Sequence, residues 1–340
     1  MRVSSSTPGH RATGLSRPSL RAIGLALLLG LLLASPPAVA APSACPEHFA
    51  NGSAPGILRP ALAARVRELC FEGYAVLHSG VSRTPLAVAE HLTRARMAGA
   101  REVGRDGTFH EEERLPYDER AQLADYARSG FDRGHMAPSG DMATPTSMVE
   151  SFSLANMVPQ HPASNRCIWE GIESAVRRFA ADEGEVYVVT GPVFAGESLE
   201  RIGGRVLVPT SLYKAVYAPR RGAAAAYLAP NGPGLAWQAV SLAELRGITG
   251  IEVFPGVPVA ARDRLLSLPA PRSSRARGAC EGQAETAEPG GRARDGGAKP
   301  ERPSPTREAE AEGWSVTTRV AAGLVVVVMI ALLVRVLGRR

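Results

Sequence analysis

The residues best suited to chemistry lie in one short stretch, FDRGHMAP, at positions 131–138. Arg133 and His135 stand two positions apart in this stretch, and Asn165 follows thirty residues after the histidine. A histidine can accept a proton from water near neutral pH, and an arginine can bind two phosphate oxygens. The amide oxygen of an asparagine is a hard ligand for Mg²⁺, which stabilises negative charge on phosphate. These residues predict phosphodiester hydrolysis, with His135 as general base, Asn165 as metal ligand and Arg133 as a phosphate contact.

The segment after Asn165 is predicted to form a helix that carries further site residues. Gly184 follows it as a stop signal. The apolar residues of this segment recur at spacings of four, four and three, which is typical of an amphipathic helix: they are Ile168, Ile172, Val176 and Phe179.

A second, polar stripe runs along the same predicted helix. In its first turn, backbone amides favour an anionic ligand. We expect Glu173 to pair with Arg177, one turn later, and to lie within one water molecule of a metal held by Asn165. The stripe contains four residues at a spacing of four: Asn165, Trp169, Glu173 and Arg177.

The elements that must position these residues are predicted from hydrophobic periodicity and turn signals. The charged stretch 101–120 is expected to be a solvated loop, and residues 139–161 a long functional loop. Short strands are predicted after residue 190, and the domain is expected to close around residues 249–258. The other predicted elements are helices over 62–69 and 85–97 and strands over 74–78 and 185–190.

The charge of the chain is distributed unevenly. The net charge is +6, yet residues 41–270 carry 23 basic and 25 acidic side chains. Any affinity for nucleic acid must therefore come from local arginines and not from the field of the whole protein. Lysine occurs only at Lys214 and Lys299, which we interpret as compositional bias.

The N-terminus carries a pattern typical of export. Four arginines precede the apolar run at 22–34, and a small-x-small pattern follows at 38–40. This order predicts a secretory signal peptide over residues 1–40. The alternative, a buried core helix, fits less well with the short length and N-terminal position of the run.

The C-terminus carries a second apolar run, at 320–334, which is bracketed by arginines. A transmembrane anchor is predicted over residues 314–340, with a core or amphipathic helix as the alternative. Residues 41–270 are then one domain, and residues 271–313, which lack periodicity, are predicted to be a disordered linker. We expect the domain to be exported and held on the extracytoplasmic or periplasmic face of the membrane.

Export permits disulfides among the four cysteines. Cys45 and Cys70 lie near the start of the predicted mature chain and are the favoured pair. Cys167, beside the predicted site, and Cys280, in the predicted linker, are candidates for free thiols. The sequence has no C-x-x-C spacing that would indicate structural zinc.

Several motifs in a fixed order resemble the DNA/RNA non-specific endonuclease family, which includes the secreted Serratia nuclease and mitochondrial endonuclease G. The resemblance covers roughly residues 65–265. It rests on DRGHMAPSGDM (132–142), NMVPQ (156–160), N-x3-W-x3-E (165–173), VVTGPVF (188–194), VPTSLYK (208–214) and TGIEVFP (249–255).

The resemblance implies an α+β protein with the ββα-metal nuclease fold, in which a central antiparallel sheet is flanked by helices. It implies cleavage of DNA and RNA with Mg²⁺ or Mn²⁺ and little sequence preference. By matching positions, His135 is the general base, Asn165 the sole protein ligand of the metal, and Arg133 the arginine two residues before the base. Glu173 matches the carboxylate that holds a metal-bound water, and Arg177 matches an arginine that contacts the scissile phosphate.

One further family arginine is expected about thirty residues before the base, near an aromatic side chain. Arg105 with Phe109 is the preferred match, and Arg101 is the alternative. Asp132 is expected to orient the loop without binding metal. The residue after the metal ligand departs from the family pattern and is Arg166, which either contacts phosphate or is solvated.

Two other functions remain open on the sequence. One is a degenerate nuclease scaffold that binds DNA at the cell envelope without cleaving it. The other is a transition-metal enzyme that uses His135, His161 and Asp141, although this alternative leaves Asn165 without a role.

Overall fold

A seven-stranded antiparallel sheet forms the centre of the protein in this computed structural model, which describes residues 43–272 and Cys280. The strands of the described part are β1 (Gly56–Ile57), β2 (Val66–Cys70), β3 (Ala75–Ser79), β4 (Thr84–Thr93), β5 (Asp132–His135), β6 (Met157–Gln160), β7 (Glu185–Val193), β8 (Arg201–Ile202), β9 (Val206–Leu207), β10 (Ser211–Ala218), β11 (Ala223–Pro230), β12 (Gln238–Val240) and β13 (Ile251–Glu252). The order of strands in the central sheet is β12-β11-β10-β7-β4-β3-β2.

Short helices lie between the strands and cover the sheet. The α-helices of the described part are α1 (Pro60–Ala63), α2 (Arg94–Gly99), α3 (Leu123–Tyr126), α4 (Pro145–Glu150), α5 (Glu170–Glu183), α6 (Leu242–Thr249) and α7 (Val259–Arg262). The predicted fold class is confirmed at this level: a central antiparallel sheet flanked by helices.

The central strands are buried on both faces because a separate apolar cluster covers each face. In β4, Val88 belongs to the cluster on the side of α5, whereas Ala87 and Ala89 belong to the cluster on the side of α6. The predicted apolar face of α5 is confirmed, since Ile172 and the other apolar residues of its stripe are buried in the first cluster. Gly184 ends this helix in the left-handed conformation, as its position predicts.

The predicted helix over 85–97 is wrong, because most of this segment is the central strand β4. A strand that is buried on both faces is apolar throughout, so its pattern does not differ from that of a short buried helix. The predicted helix over 62–69 fails similarly, since its second half forms β2. The strands predicted over 74–78 and 185–190 are confirmed as β3 and β7.

The loop predicted over 139–161 is also wrong in part, because it contains a helix and a strand. The helix α4 begins at Pro145 behind the N-cap Thr144, whose side chain accepts a hydrogen bond from the amide of Ser147. The strand β6 begins at Met157 and lies fully buried. Capping thus starts a helix here where hydrophobic periodicity gives no signal.

The described part of the chain contains two disulfide bonds. The predicted bond between Cys45 and Cys70 is present, with a Cα–Cα distance of 5.8 Å. The expectation of free thiols at Cys167 and Cys280 is wrong, because these residues form a second disulfide with a Cα–Cα distance of 5.9 Å. These two cysteines are 113 residues apart, and the sequence does not indicate that they meet. Only the fold brings Cys280 next to Cys167, which lies two residues after Asn165.

In residues 43–272, no helix is both long enough and apolar enough to cross a membrane. The predicted signal peptide at 1–40 and the predicted anchor at 314–340 lie outside the described residues. The predicted linker at 271–313 also lies outside them, apart from residues 271, 272 and Cys280.

The Cys45–Cys70 bond should contribute measurably to stability, because it closes a loop in the unfolded chain. We expect the double variant Cys45→Ala/Cys70→Ala to lose about 2–4 kcal/mol of unfolding free energy. The midpoint of thermal unfolding should fall by about 5–15 °C. Circular dichroism on heating measures this, and the single variant Cys70→Ala should show a similar loss. An unchanged midpoint in the double variant would contradict the prediction.

Candidate active site

The site is built on a strand–loop–strand–helix unit beside the central sheet. Strand β5 pairs with β6 in antiparallel fashion, so that His135 faces Met157 across the ladder. Gly134 permits this pairing, because a Cβ atom there would clash with the side chain of Gln160. After β6 the chain passes through a π-helical segment, Ser164–Trp169, and continues directly into α5. Such π-helical turns occur often at functional sites.

One open cleft of about 470 Å³ collects every site residue predicted from the sequence. Its wall also contains Asp132, Ser139, Gly140 and Glu170. The predicted residues that line it are Arg105, Arg133, His135, Asn165, Glu173 and Arg177. The fold therefore brings together residues that are separated by up to 72 positions in the sequence.

Asp132 holds the amide of Asn165 in place. The Nδ2 atom of Asn165 donates a hydrogen bond of 2.9 Å to Oδ2 of Asp132. Arg166 donates to both carboxylate oxygens of Asp132, over distances of 2.9 and 2.7 Å. The Asn165 amide therefore directs its nitrogen to Asp132 and has its Oδ1 atom left for a ligand. Arg166 is not simply solvated, because it forms an ion pair with Asp132 at the wall of the cleft.

The donors in the cleft fit a hard divalent cation. The amide oxygen of Asn165 and the carboxylates of Glu170 and Glu173 are oxygen ligands, and Mg²⁺ or Mn²⁺ prefers such groups. His135, His161 and Asp141 do not converge. Within the described residues, the single group of three His, Cys, Asp or Glu side chains with converging donor atoms is Cys45, Glu68 and Cys70, and its two sulfurs form a disulfide. The geometry therefore gives no support to the transition-metal alternative.

His135 packs against two aromatic rings that also contact each other, with 5.1 Å between the Phe109 and Phe152 centroids. Its ring centroid is 5.7 Å from that of Phe109 and 5.1 Å from that of Phe152, which it meets edge-on. Its Nε2 atom is buried and has no hydrogen-bond partner in the described part of the chain. Burial, with a smaller contribution from the positive charge of Arg105, lowers the pKa of His135 to about 3. The imidazole is thus neutral at physiological pH and can accept a proton.

Two arginines extend over the same aromatic rings. The Arg133 guanidinium lies 5.1 Å from the ring centroid of Phe109, and the Arg105 guanidinium lies 5.2 Å from that of Phe152. Arg105 also donates a hydrogen bond of 2.9 Å to Oγ of Ser139. Arg101 does not line this cleft and borders a neighbouring pocket instead. The geometry thus favours Arg105 over Arg101 as the arginine beside the base.

The expected ion pair between Glu173 and Arg177 is wrong. Arg177 pairs with Asp141, with 3.1 Å between Nη1 and Oδ1, and donates a second hydrogen bond to Oγ of Ser174. Asp141 is buried, so its carboxylate would be an unpaired buried charge without this arginine. Burial raises the pKa of Glu173 to about 7, against the opposing effect of the Lys214 and Arg177 charges.

Comparison with known proteins identifies the family. Residues 57–260 match the family model described as DNA/RNA non-specific endonuclease. The chain belongs to this family. It is 36% identical over 175 residues to Nuclease C1 of Cunninghamella echinulata var. echinulata, a match that covers 47% of this chain and 69% of that nuclease. It is 32% identical over 209 residues to the mitochondrial Nuclease EXOG of Danio rerio, covering 55% of this chain and 60% of the relative.

The fold agrees with a solved structure of the same kind. A chain in the crystal structure of the EndoG/EndoGI complex, determined to study the mechanism of EndoG inhibition, superposes with a TM-score of 0.50 at 30% sequence identity. The superposition covers 55% of this chain and 84% of that chain. The family resemblance stated from the sequence motifs is therefore confirmed.

Sequence reasoning missed one residue beneath the site of this family member, namely Lys214. Its side chain is fully buried, and Nζ donates to Oγ1 of Thr190 at 2.7 Å and to the carbonyl of Met136 at 3.2 Å. Nζ also lies 5.8 Å from the ring centroid of Trp169. The ammonium group thus contacts the residue after the proposed base and the helical segment that carries Asn165. The signal in the sequence is a lone lysine within an apolar strand, which compositional bias alone does not explain.

Removing the Asp132 carboxylate should weaken metal binding, because nothing else in the described structure holds the Asn165 amide. We expect Asp132→Ala to lower the affinity for Mn²⁺ or Mg²⁺ by about 10- to 100-fold, the usual effect of losing the partner of a metal ligand. Calorimetric titration of the purified protein measures this affinity.

The matched control is Arg166→Ala, which breaks the ion pair with Asp132 but keeps the hydrogen bond to Asn165. This variant should bind metal with nearly the affinity of the wild type. Equal losses in both variants would show that Asp132 does not act through Asn165.

Proposed function

We propose that this protein is an endonuclease that hydrolyses the phosphodiester bonds of DNA and RNA, with little sequence preference, in a reaction that depends on a divalent cation. The observation that carries the proposal is the cleft. It combines a neutral histidine with an unpartnered Nε2, an amide held by Asp132, and arginines on two sides. The family to which the chain belongs and the nucleases to which it is similar support the same chemistry.

Asn165 would hold the cation through Oδ1, and Glu173 would hold a water molecule of its coordination shell. Bound Mg²⁺ or Mn²⁺ would supply electrostatic stabilisation of the charge that develops on the phosphate and the leaving oxygen. The raised pKa of Glu173 follows from burial, and a positive charge nearby would favour its carboxylate form.

His135 takes a proton from the attacking water. A pKa of about 3 makes the free imidazole a weak base. The anionic diester would raise this pKa, because a negative charge near the ring favours the imidazolium form. Substrate binding therefore moves the pKa of His135 towards the range in which general-base catalysis is efficient. The rings of Phe109 and Phe152 fix the plane of the imidazole.

The arginines bind and orient the phosphate. Arg133 has no carboxylate partner among the described residues, so its charge is available to the substrate. Arg105 is oriented by Ser139, and Arg177 is oriented by Asp141 and Ser174. Contacts of this kind read the phosphate and not the base, which agrees with a lack of sequence preference.

We also propose that the domain works outside the cytoplasm and is anchored to the membrane by residues 314–340. The export pattern at 1–40 and the apolar run at 320–334 support this localisation. The disulfides agree with it, since all four cysteines are paired and disulfides persist in oxidising compartments.

His135→Ala should abolish turnover while nucleic-acid binding survives, because the general base is lost and the arginines remain. We expect the rate of nicking of supercoiled plasmid in Mg²⁺ to fall by about 10²–10⁴-fold, with a parallel loss on RNA. Chelation of the metal should stop the wild-type reaction.

The control is His161→Ala, a histidine outside the cleft. It should keep most of the activity, whereas the transition-metal alternative requires its loss. Full activity of His135→Ala would remove the proposed role of this residue. A wild-type protein that binds DNA but never nicks it would support the binding-scaffold alternative.

Deleting residues 314–340 should release the protein from the membrane fraction, because these residues supply the proposed anchor. We expect the full chain to sediment with membranes and the truncated chain to stay in the supernatant, with equal nuclease activity. Fractionation followed by a nicking assay measures both. Sedimentation of the truncated chain with membranes would contradict the anchor.

A further inference from the structure

A second, smaller pocket of about 200 Å³ adjoins the cleft. The two share Gly140 and Arg177, which form the boundary between them. The residues that line the smaller pocket are Met97, Arg101, Gly140, Ser174, Arg177 and Arg178. We call it the arginine pocket, since half of these six residues are arginines.

The charge of the arginine pocket is positive and largely uncompensated. None of its lining residues is acidic, whereas the cleft is lined by Asp132, Glu170 and Glu173. Arg101 and Arg178 are exposed, and within residues 43–272 neither guanidinium has a hydrogen bond or an ion pair. Arg166 and Arg177 differ, because each is paired with an aspartate. Two full positive charges thus face the pocket.

Gly140 lines both pockets, and no side chain projects from this position into the passage between them. A Cβ atom on Gly140 would lie 3.1 Å from Nη1 of Arg177, so the backbone passes directly over the guanidinium. Arg177 is fixed there by Asp141 and Ser174. A ligand held in the cleft can therefore extend past Gly140 without meeting a side chain at that position.

A polynucleotide is a ligand that can extend from the cleft into the arginine pocket. Its phosphates repeat along the strand, so a strand that places one phosphate beside His135 must carry the next ones out of the cleft. A pocket with several arginines and no carboxylate in its lining suits a phosphate group, which arginine binds through two parallel hydrogen bonds.

We propose that the arginine pocket binds a phosphate that flanks the scissile one on the same strand, with Arg101 and Arg178 as its ligands. This inference rests on the proposed function, because it assumes that the scissile phosphate lies in the cleft. Apart from Arg177, which it shares with the cleft, the pocket makes no contact with the reacting atoms. It contributes affinity for long substrates and none for a small diester that ends at the cleft.

The test uses the double variant Arg101→Ala/Arg178→Ala of the full chain. We expect its binding to a single-stranded oligonucleotide, followed by fluorescence anisotropy, to weaken by about 10-fold or more at moderate salt. The slope of log affinity against log salt should become shallower by about 0.7, since the pocket binds one phosphate and each phosphate contact contributes about 0.7 on single strands. Cleavage of bis(p-nitrophenyl) phosphate should keep the wild-type rate.

The matched control is Arg264→Ala/Arg272→Ala, which removes the same charge from two exposed arginines outside both pockets. It should leave the salt slope and the affinity nearly unchanged. Equal losses in the two double variants would overturn the proposal, because they would indicate a general effect of charge. An unchanged salt slope in Arg101→Ala/Arg178→Ala would also overturn it.

The outcome is separable from that of the proposed function. If the wild type binds the oligonucleotide through these arginines but cleaves no diester, the arginine pocket stands and the nuclease mechanism fails. If the wild type cleaves plasmid and the double variant binds and cleaves it equally well, the nuclease mechanism stands and the arginine pocket fails.

Discussion

The carboxylate of Asp132 is the contact on which the arrangement of the site depends. It belongs to the strand that carries His135, and it accepts hydrogen bonds from Asn165 and Arg166 on the helical segment that follows β6. The two halves of the site are thereby fixed relative to each other by a charged acceptor, which forms stronger hydrogen bonds than a neutral one. Three features bring Asp132 and Asn165 together: the pairing of β5 with β6, the π-helical segment and the packing of α5 on the sheet.

A group of charged side chains lies beneath the cleft, in surroundings where apolar residues would be expected. Lys214 and Glu90 are buried on the central sheet, and Arg96 donates to the Glu90 carboxylate over 3.3 Å. Burial raises the pKa of Glu90, as it does that of Glu173. Charges removed from water destabilise a fold unless they are paired well. These buried charges set the electrostatic potential beneath the cleft, at a cost to the stability of the fold.

The sequence allowed the chemistry to be predicted better than the geometry that supports it. The pattern around His135 identified Arg133 and His135, and the stripe identified Asn165, Glu173 and Arg177, because spacing within an element is local information. The fold brings these residues to one cleft. Trp169 of the same stripe is instead buried in the core. The partners of these residues are not local. Arg177 meets Asp141 from another segment, Cys167 meets Cys280 across the chain, and β4 resembles a helix until its neighbours on both faces are known.

Gly134, between Arg133 and His135, has a consequence for how mutational data on this protein should be understood. Successive residues of a strand point to opposite faces, so the spacing of two places the arginine and the histidine on one face. Gly134 lies on the other face, where Gln160 fills the space that a side chain would need. A saturation scan would therefore show three adjacent intolerant positions that fail in different ways. Changes at the outer two remove chemical groups, whereas a change at Gly134 separates two strands through volume alone.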